Sequence, residues 1–141
     1  MTTTDPAVET DTKLRHDARQ ALANTPQYIV HIGQGLVSTV RQLQTGNNVE
    51  GMDTFARSMA DLSQFMHLFQ QMQRIAQPSS NTASTAFREG IVDCVQQLND
   101  AMMDQDLDAL SSGIEGTLLP LLPMWEQVAY ELQDGFEPRH A

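Results

Sequence analysis

Apolar residues in this chain recur every three or four positions, the spacing of one helix face, and nowhere alternate as a half-buried strand would. Four such stripes are readable. Ile29, Ile32, Leu36, Val40 and Leu43 form one, begun by the capping pair Thr25-Pro26 and ended by Thr45-Gly46-Asn47-Asn48. Gly46 suits the left-handed position that closes a helix. Met52, Phe55, Met59, Leu62, Met66 and Phe69 form a second, on a helix from about Asn48 to Gln77. Pro78 and Ser79-Ser80-Asn81-Thr82 are the loop after it. A third helix begins near Ser84 or Thr85 and carries Phe87, Ile91, Val95, Leu98 and Met102 inward. Asp104-Gln105-Asp106 is the next turn, with Asp106 as cap.

The fourth stripe is Leu107, Leu110, Ile114, Leu118, Leu121, Leu122, Trp125, Val128 and Leu132. Pro120 within it removes the hydrogen bond to the Gly116 carbonyl, so the helix should kink or restart there. Trp125 follows and is expected to anchor the end of the bundle. Gly135 and Pro138 close the chain. Upstream of Thr25 the pattern is thin. Asp5-Pro6 could start a helix whose face holds Leu14, Ala18, Ala21 and Leu22. The expected organisation is residues 1–24 as a tail or short helix and residues 25–137 as a helical bundle domain.

Residues 32–43, IGQGLVSTVRQL, align without a gap with residues 87–98, FREGIVDCVQQL, at an offset of 55. Gly35, Val37, Val40, Gln42 and Leu43 match Gly90, Val92, Val95, Gln97 and Leu98. Each copy leads through a turn into another helix. The fold class expected is therefore all-α, an antiparallel four-helix bundle made from two similar helical hairpins. Glycine inside a helix costs about 1 kcal/mol relative to alanine. Its recurrence at one place in both copies points to close helix approach.

Composition narrows function more than it defines it. The 141 residues suit one domain. Eighteen acidic against eight basic side chains, a formal charge of −10, argue against nucleic acid and anionic membrane as partners. One cysteine allows neither an intrachain disulfide nor a cysteine-based zinc cluster. The start of the chain has no basic and no apolar signal region, and no apolar run could span a membrane, so the expected location is cytoplasmic.

The segment Asp104-Gln105-Asp106-Leu107-Asp108-Ala109-Leu110 through Leu118-Leu119-Pro120-Leu121-Leu122-Pro123-Met124-Trp125 resembles a family of small uncharacterised bacterial helical proteins, classed as a domain of unknown function. In that family an acidic turn leads into a helix ending in a Leu-Leu-Pro-Leu-Leu-x-x-Trp-like segment. The resemblance brings no accepted activity and no catalytic residues. Pro123 and the scarcity of lysine depart from its pattern.

Candidate chemistry is sparse. His16, His31, His67 and His140 form no Glu-x-x-His or His-x-x-x-His pair, the spacing that places two metal ligands on one helix face. His31 and His67 lie beside apolar stripes as boundary residues. Cys94 has no basic neighbour in sequence to activate it and reads as buried and inert. Asp104, Asp106 and Asp108 alternate like a calcium loop but lack its central glycine and distal glutamate. No catalytic, cofactor or metal residue is assigned, and no cofactor is expected.

Two features point to association. Between Glu89 and Glu137 stand eleven acidic residues and no Lys or Arg, a surface that could steer a basic segment. The second helix also widens its apolar arc by adding Phe65, Leu68, Met72 and Ile75. These four are the expected partner-binding residues, with a second copy of the chain as the economical cover and a homodimer as the result. The function expected is non-catalytic association with protein, adaptor- or chaperone-like, with the partner supplying a basic or amphipathic helical segment. The alternative is a small-molecule or metal-binding bundle with His31 or His67 turned inward.

Overall fold

The structure, a computed structural model, describes residues 6–136. Asp5, Pro138 and His140 of the sequence reading lie outside them. The described residues are helical apart from short turns, with no strand among them. The elements are α1 Pro6–Gln44, α2 Asn48–Ala76, α3 Thr82–Met103 and a fourth stretch made of pieces. That stretch runs α4 Leu107–Gly113, a π turn Ile114–Leu118, α5 Leu119–Leu121, a 3-10 turn Leu122–Met124 and α6 Trp125–Phe136.

The helix start expected at Thr25-Pro26 is absent: α1 passes through both residues unbroken. Pro26 has no N–H for the Leu22 carbonyl, but the Thr25 hydroxyl donates to that oxygen at 2.6 Å. Buried Ala18, Leu22 and Thr25 continue, past half-buried Ile29, into Ile32, Leu36, Thr39 and Leu43. The thin upstream face and the first stripe are thus one stripe, which a buried threonine connects. The upstream part of α1 docks on the end of α6, where Arg15 donates to the Gly135 carbonyl at 3.0 Å and Arg19 to that of Phe136. These carbonyls lack partners within their own helix, so the guanidiniums cap it.

The turns after α1 and after α3 follow one design. Gly46 has φ +83° and the Asn47 N–H donates to the Gln42 carbonyl at 2.8 Å. After α3, Gln105 takes Gly46's place with φ +55°, and the Asp106 N–H donates to the Ala101 carbonyl at 2.9 Å. Both are the six-to-one bond that closes a helix through a left-handed residue. Asp106 then caps α4 by accepting from the Ala109 N–H, as its position predicts.

α1 runs antiparallel to α2, for Leu43 lies against Gly51, Gly35 against Ser58, and Tyr28 bonds the Asp61 carbonyl. A Cβ on Gly35 would stand 2.4 Å from the Ser58 hydroxyl, and one on Gly51 2.7 Å from Leu43. In the second half Gly113 lies under Leu98 and Gly90 under Leu121, where a Cβ would stand at 2.7 and 2.9 Å. So both repeat glycines face the return helix of their own half, and the matched leucines Leu43 and Leu98 each cover a glycine.

The inward face of α2 differs from the expected one. Gly51, Phe55, Ser58, Leu62, Phe65, Phe69, Met72 and Ala76 are buried, while Met52, Met59 and Met66 are half-buried at its edge. Small Gly51 and Ser58 occupy the interior because α1 approaches there. Trp125 is buried, but among the helices rather than at an end. Its ring meets Phe65, Phe69 and Phe87 edge-on with centroids 4.6, 5.1 and 5.5 Å away. Its indole N–H donates to the Thr25 hydroxyl at 2.8 Å. One side chain therefore ties α6 to α1, α2 and α3.

Candidate functional site

Of the four expected partner-binding residues, Phe65 and Met72 are 0 and 1% exposed, covered by the chain itself. Phe65 lies between the rings of Tyr28 and Trp125. Leu68 and Ile75 are half-buried against the core. A second chain was the expected cover, because the segment before Thr25 carries little apolar area. Tyr28 of α1 and Trp125 of α6 cover Phe65, and Met72 is buried as well, so neither presents surface to a partner.

Neither histidine of the alternative reading turns inward. His31 has a side chain 72% exposed and pairs with Asp61 at 3.2 Å. His67 is exposed and lies 3.4 Å from the Gln71 amide. Cys94 is buried, and burial pushes its thiol pKa up, which suits an inert thiol. Among the described residues no group of three or more His, Cys, Asp or Glu is placed to hold a metal.

One carboxylate is deeply engaged, and the sequence did not single it out. Glu131 of α6 accepts from the Ala83 and Ser84 N–H groups at 2.9 Å each. It also accepts from the hydroxyls of Ser84 at 3.0 Å and Ser80 at 3.4 Å. It caps the start of α3 from another helix. Burial pushes its pKa up, but the hydrogen bonds to its charged form outweigh this and leave it below the usual value of 4.5. The group is structural, since every bond fixes one element on another.

An open groove of about 580 Å³ lies between α1 and the proline segment. Gly33 and Leu122 form its floor, where a Cβ on Gly33 would lie 3.6 Å from the leucine methyl. Val30 and Val37, 57 and 44% exposed, stand along the α1 side with Leu119 and Pro123 opposite. Arg41 marks one end. The groove exists because the π and 3-10 turns break the regular surface of the fourth stretch and because Gly33 has no side chain to fill it. Val37 was legible as one of the repeat identities, but its exposure was not. Val92, its match, is exposed as well.

The polar residues lining the groove are Gln34, Ser38 and Arg41, with no carboxylate or histidine among them to activate the Ser38 hydroxyl. What it offers is apolar surface, which water covers at a cost of roughly 25 cal/mol per Å².

Residues 20–128 match the domain of unknown function DUF8042. The chain belongs to that family. The DUF8042 match contains Thr25, Trp125 and every residue lining the groove, and ends before Glu131. Its description assigns no function, so no residue role comes with it. No curated protein and no solved structure matches the chain.

Proposed function

We propose that this protein is a non-catalytic cytoplasmic binding module that holds an amphipathic helix of another protein in the groove between α1 and the proline segment. The exposed valines across a glycine floor carry this reading. From Val30 to Arg41 the groove wall extends about 16 Å at 1.5 Å per residue, some three helical turns. Anchors spaced i, i+3 or i+4, and i+7 would fill it. Glu115 and Glu126 are exposed one turn before and after the lining residues. No Lys or Arg stands between Glu89 and Glu137. Basic residues along that flank of the partner would meet complementary charge. A cytoplasmic location agrees with the single buried thiol.

The scaffold in this reading is an antiparallel four-helix bundle of two duplicated hairpins. The shared turn design, Leu43 over Gly51 and Leu98 over Gly113 support it. With the first helices aligned at an offset of 55, the second turn comes 59 residues after the first, so each arm of the second hairpin gains about one helical turn. A homodimer would use the same groove rather than Phe65 and Met72.

Site-specific photocrosslinking in the native cell tests the assignment. A photoreactive residue at Val30 or Val37 should trap a discrete polypeptide, whereas one at exposed Tyr130 should not. A product of twice the chain's own mass would make a second copy the occupant. Equal trapping from Tyr130, or none from the valines, would remove the groove as the interface. The alternative, a small-molecule or metal-binding bundle, would need His31 or His67 turned inward, and both are exposed.

A further inference from the structure

A second concavity lies where α2 ends and α3 begins, remote in character from the groove. It measures about 630 Å³ and is lined by two guanidiniums, four side-chain amides and a proline, with no carboxylate. In a chain with 18 acidic and 8 basic residues such a lining goes against composition. Three other arginines are engaged, while Arg41 stands alone at the end of the groove. Arg15 bonds Asp11 and the Gly135 carbonyl, Arg19 the Phe136 carbonyl, and Arg57 pairs with Asp53 at 3.2 Å. Arg74 and Arg88 of the cleft have no such partner among the described residues. Arg88 is half-buried all the same. A guanidinium without a protein partner offers five donors, which an anion with several acceptor oxygens can fill.

The surroundings keep the site open for one. Asn81 holds the capping position of α3 yet makes no capping bond, because Glu131 already takes the Ala83 and Ser84 N–H groups. Its amide lines the cleft instead. Gln77 ends α2 in the left-handed conformation, φ +44°, uncommon for a residue with a side chain, and it too lines the cleft. Gln70 and Gln73 stand on the same wall as Arg74.

We infer that this cleft binds the phosphate monoester of a small molecule, Arg74 and Arg88 taking the phosphoryl oxygens and the amides of Gln70, Gln73, Gln77 and Asn81 the rest. Two guanidinium forks suit a dianion with three free oxygens better than they suit a single carboxylate. The volume exceeds that of phosphate alone and leaves room for a polar body of nucleotide size. The chain's net charge of −10 and the nearby carboxylates of Glu89, Glu131 and Asp134 oppose an anion, but Glu131 and Asp134 are held by the Ser80 and Ser79 hydroxyls, and the two guanidiniums act at contact.

Titration followed by nitrogen-15 NMR at constant ionic strength tests this with inorganic phosphate, adenosine 5′-monophosphate and adenosine. The monophosphate should shift the Arg74 and Arg88 Nε–H signals and the glutamine side-chain amides. It should bind at least tenfold tighter than inorganic phosphate, and adenosine should not bind measurably. Arg74→Gln and Arg88→Gln should each weaken the monophosphate at least tenfold, while Arg57→Gln should leave it unchanged. A folded spectrum for each variant separates lost binding from lost fold. Equal, weak effects of phosphate and monophosphate would mean an adventitious ion only and overturn the inference. So would adenosine binding as well as its monophosphate, or shifts centred away from the cleft. None of these outcomes bears on the groove, whose crosslinking is read independently.

Discussion

Proline lies inside two helical stretches of this protein with opposite results. Pro26 lies deep inside α1, and the helix continues to Gln44. Pro120 and Pro123 lie inside the fourth stretch, and the backbone changes its hydrogen-bond register on both sides of them. An interior proline costs about 3 kcal/mol, because a carbonyl one turn earlier loses its donor and the ring presses against it. The difference lies in what takes that donor's place. In α1 the Thr25 hydroxyl bonds the Leu22 carbonyl, so the backbone need not move. In the fourth stretch the backbone itself adapts. The Leu119 N–H reaches back to the Ile114 carbonyl, and the Leu122 N–H takes the Leu119 carbonyl that Pro123 cannot serve. The wider turn coincides with the four-residue steps Ile114, Leu118, Leu122, and the tighter one with the three-residue steps Leu122, Trp125, Val128. Each buried residue thereby stays inward. One solution keeps a helix smooth, and the other leaves the irregular surface that forms one wall of the groove. The two regions meet where the Trp125 indole donates to Thr25.

The largest effect should come from that meeting point. Trp125→Ala removes the ring shared by all the helices and should cost about 3–5 kcal/mol in urea unfolding, the range for truncating a buried aromatic. A loss below about 1 kcal/mol would mean that the prolines are held apart by other contacts. Next, Thr25→Val keeps the shape but strands the Leu22 carbonyl and the Trp125 N–H, which should cost about 2–3 kcal/mol. The comparison depends on a coupling. In a Pro26→Ala background the alanine N–H can serve Leu22, so the same threonine change should cost at least about 0.5 kcal/mol less. Equal losses in both backgrounds would show that the hydroxyl does not compensate for the proline.

Glu131 reports on the helix that follows the second interruption. Glu131→Gln should cost about 1 kcal/mol at neutral pH, as loss of a helix cap does. The carboxylate's folded pKa lies below its ordinary 4.5. Its contribution is therefore complete above about 4.5 and disappears as pH falls through the lower folded value. Thermal unfolding of wild type should lose stability over that acid interval, and the glutamine variant should lose less. Parallel acid limbs would show that the α6–α3 latch lies elsewhere. The smallest stability effect should be that of Val30→Asp with Val37→Asp, within about 0.5 kcal/mol each because both are exposed. The crosslinking partner should nonetheless be lost.

How much of this was legible follows from which side chains count as apolar. Leu36, Leu62, Ile91 and Leu118 were placed inward from spacing alone and are buried. Gly46 and Asp106 were read from turn and cap chemistry and occupy those roles. Thr25, Ser58 and Ser84 are buried too, and a hydropathy pattern passes over all three. Thr25 concealed the continuity of α1, and Ser58 displaced the inward face of α2 from its methionines. Within the candidate partner arc Phe65 is covered by Tyr28 and Trp125, side chains 37 and 60 positions away, which spacing on α2 does not reveal.

The sequence by itself determined the all-helical class, the turns and the family, because helical periodicity, turn residues and a linear motif are local properties of the chain. Which apolar residues stay exposed is not local. Val30 and Val37 differ from their buried neighbours only in what packs beside them, and Glu131 caps a helix that begins 49 positions earlier. The groove and the polar cleft arise where separate helices meet, so only the tertiary structure could decide them.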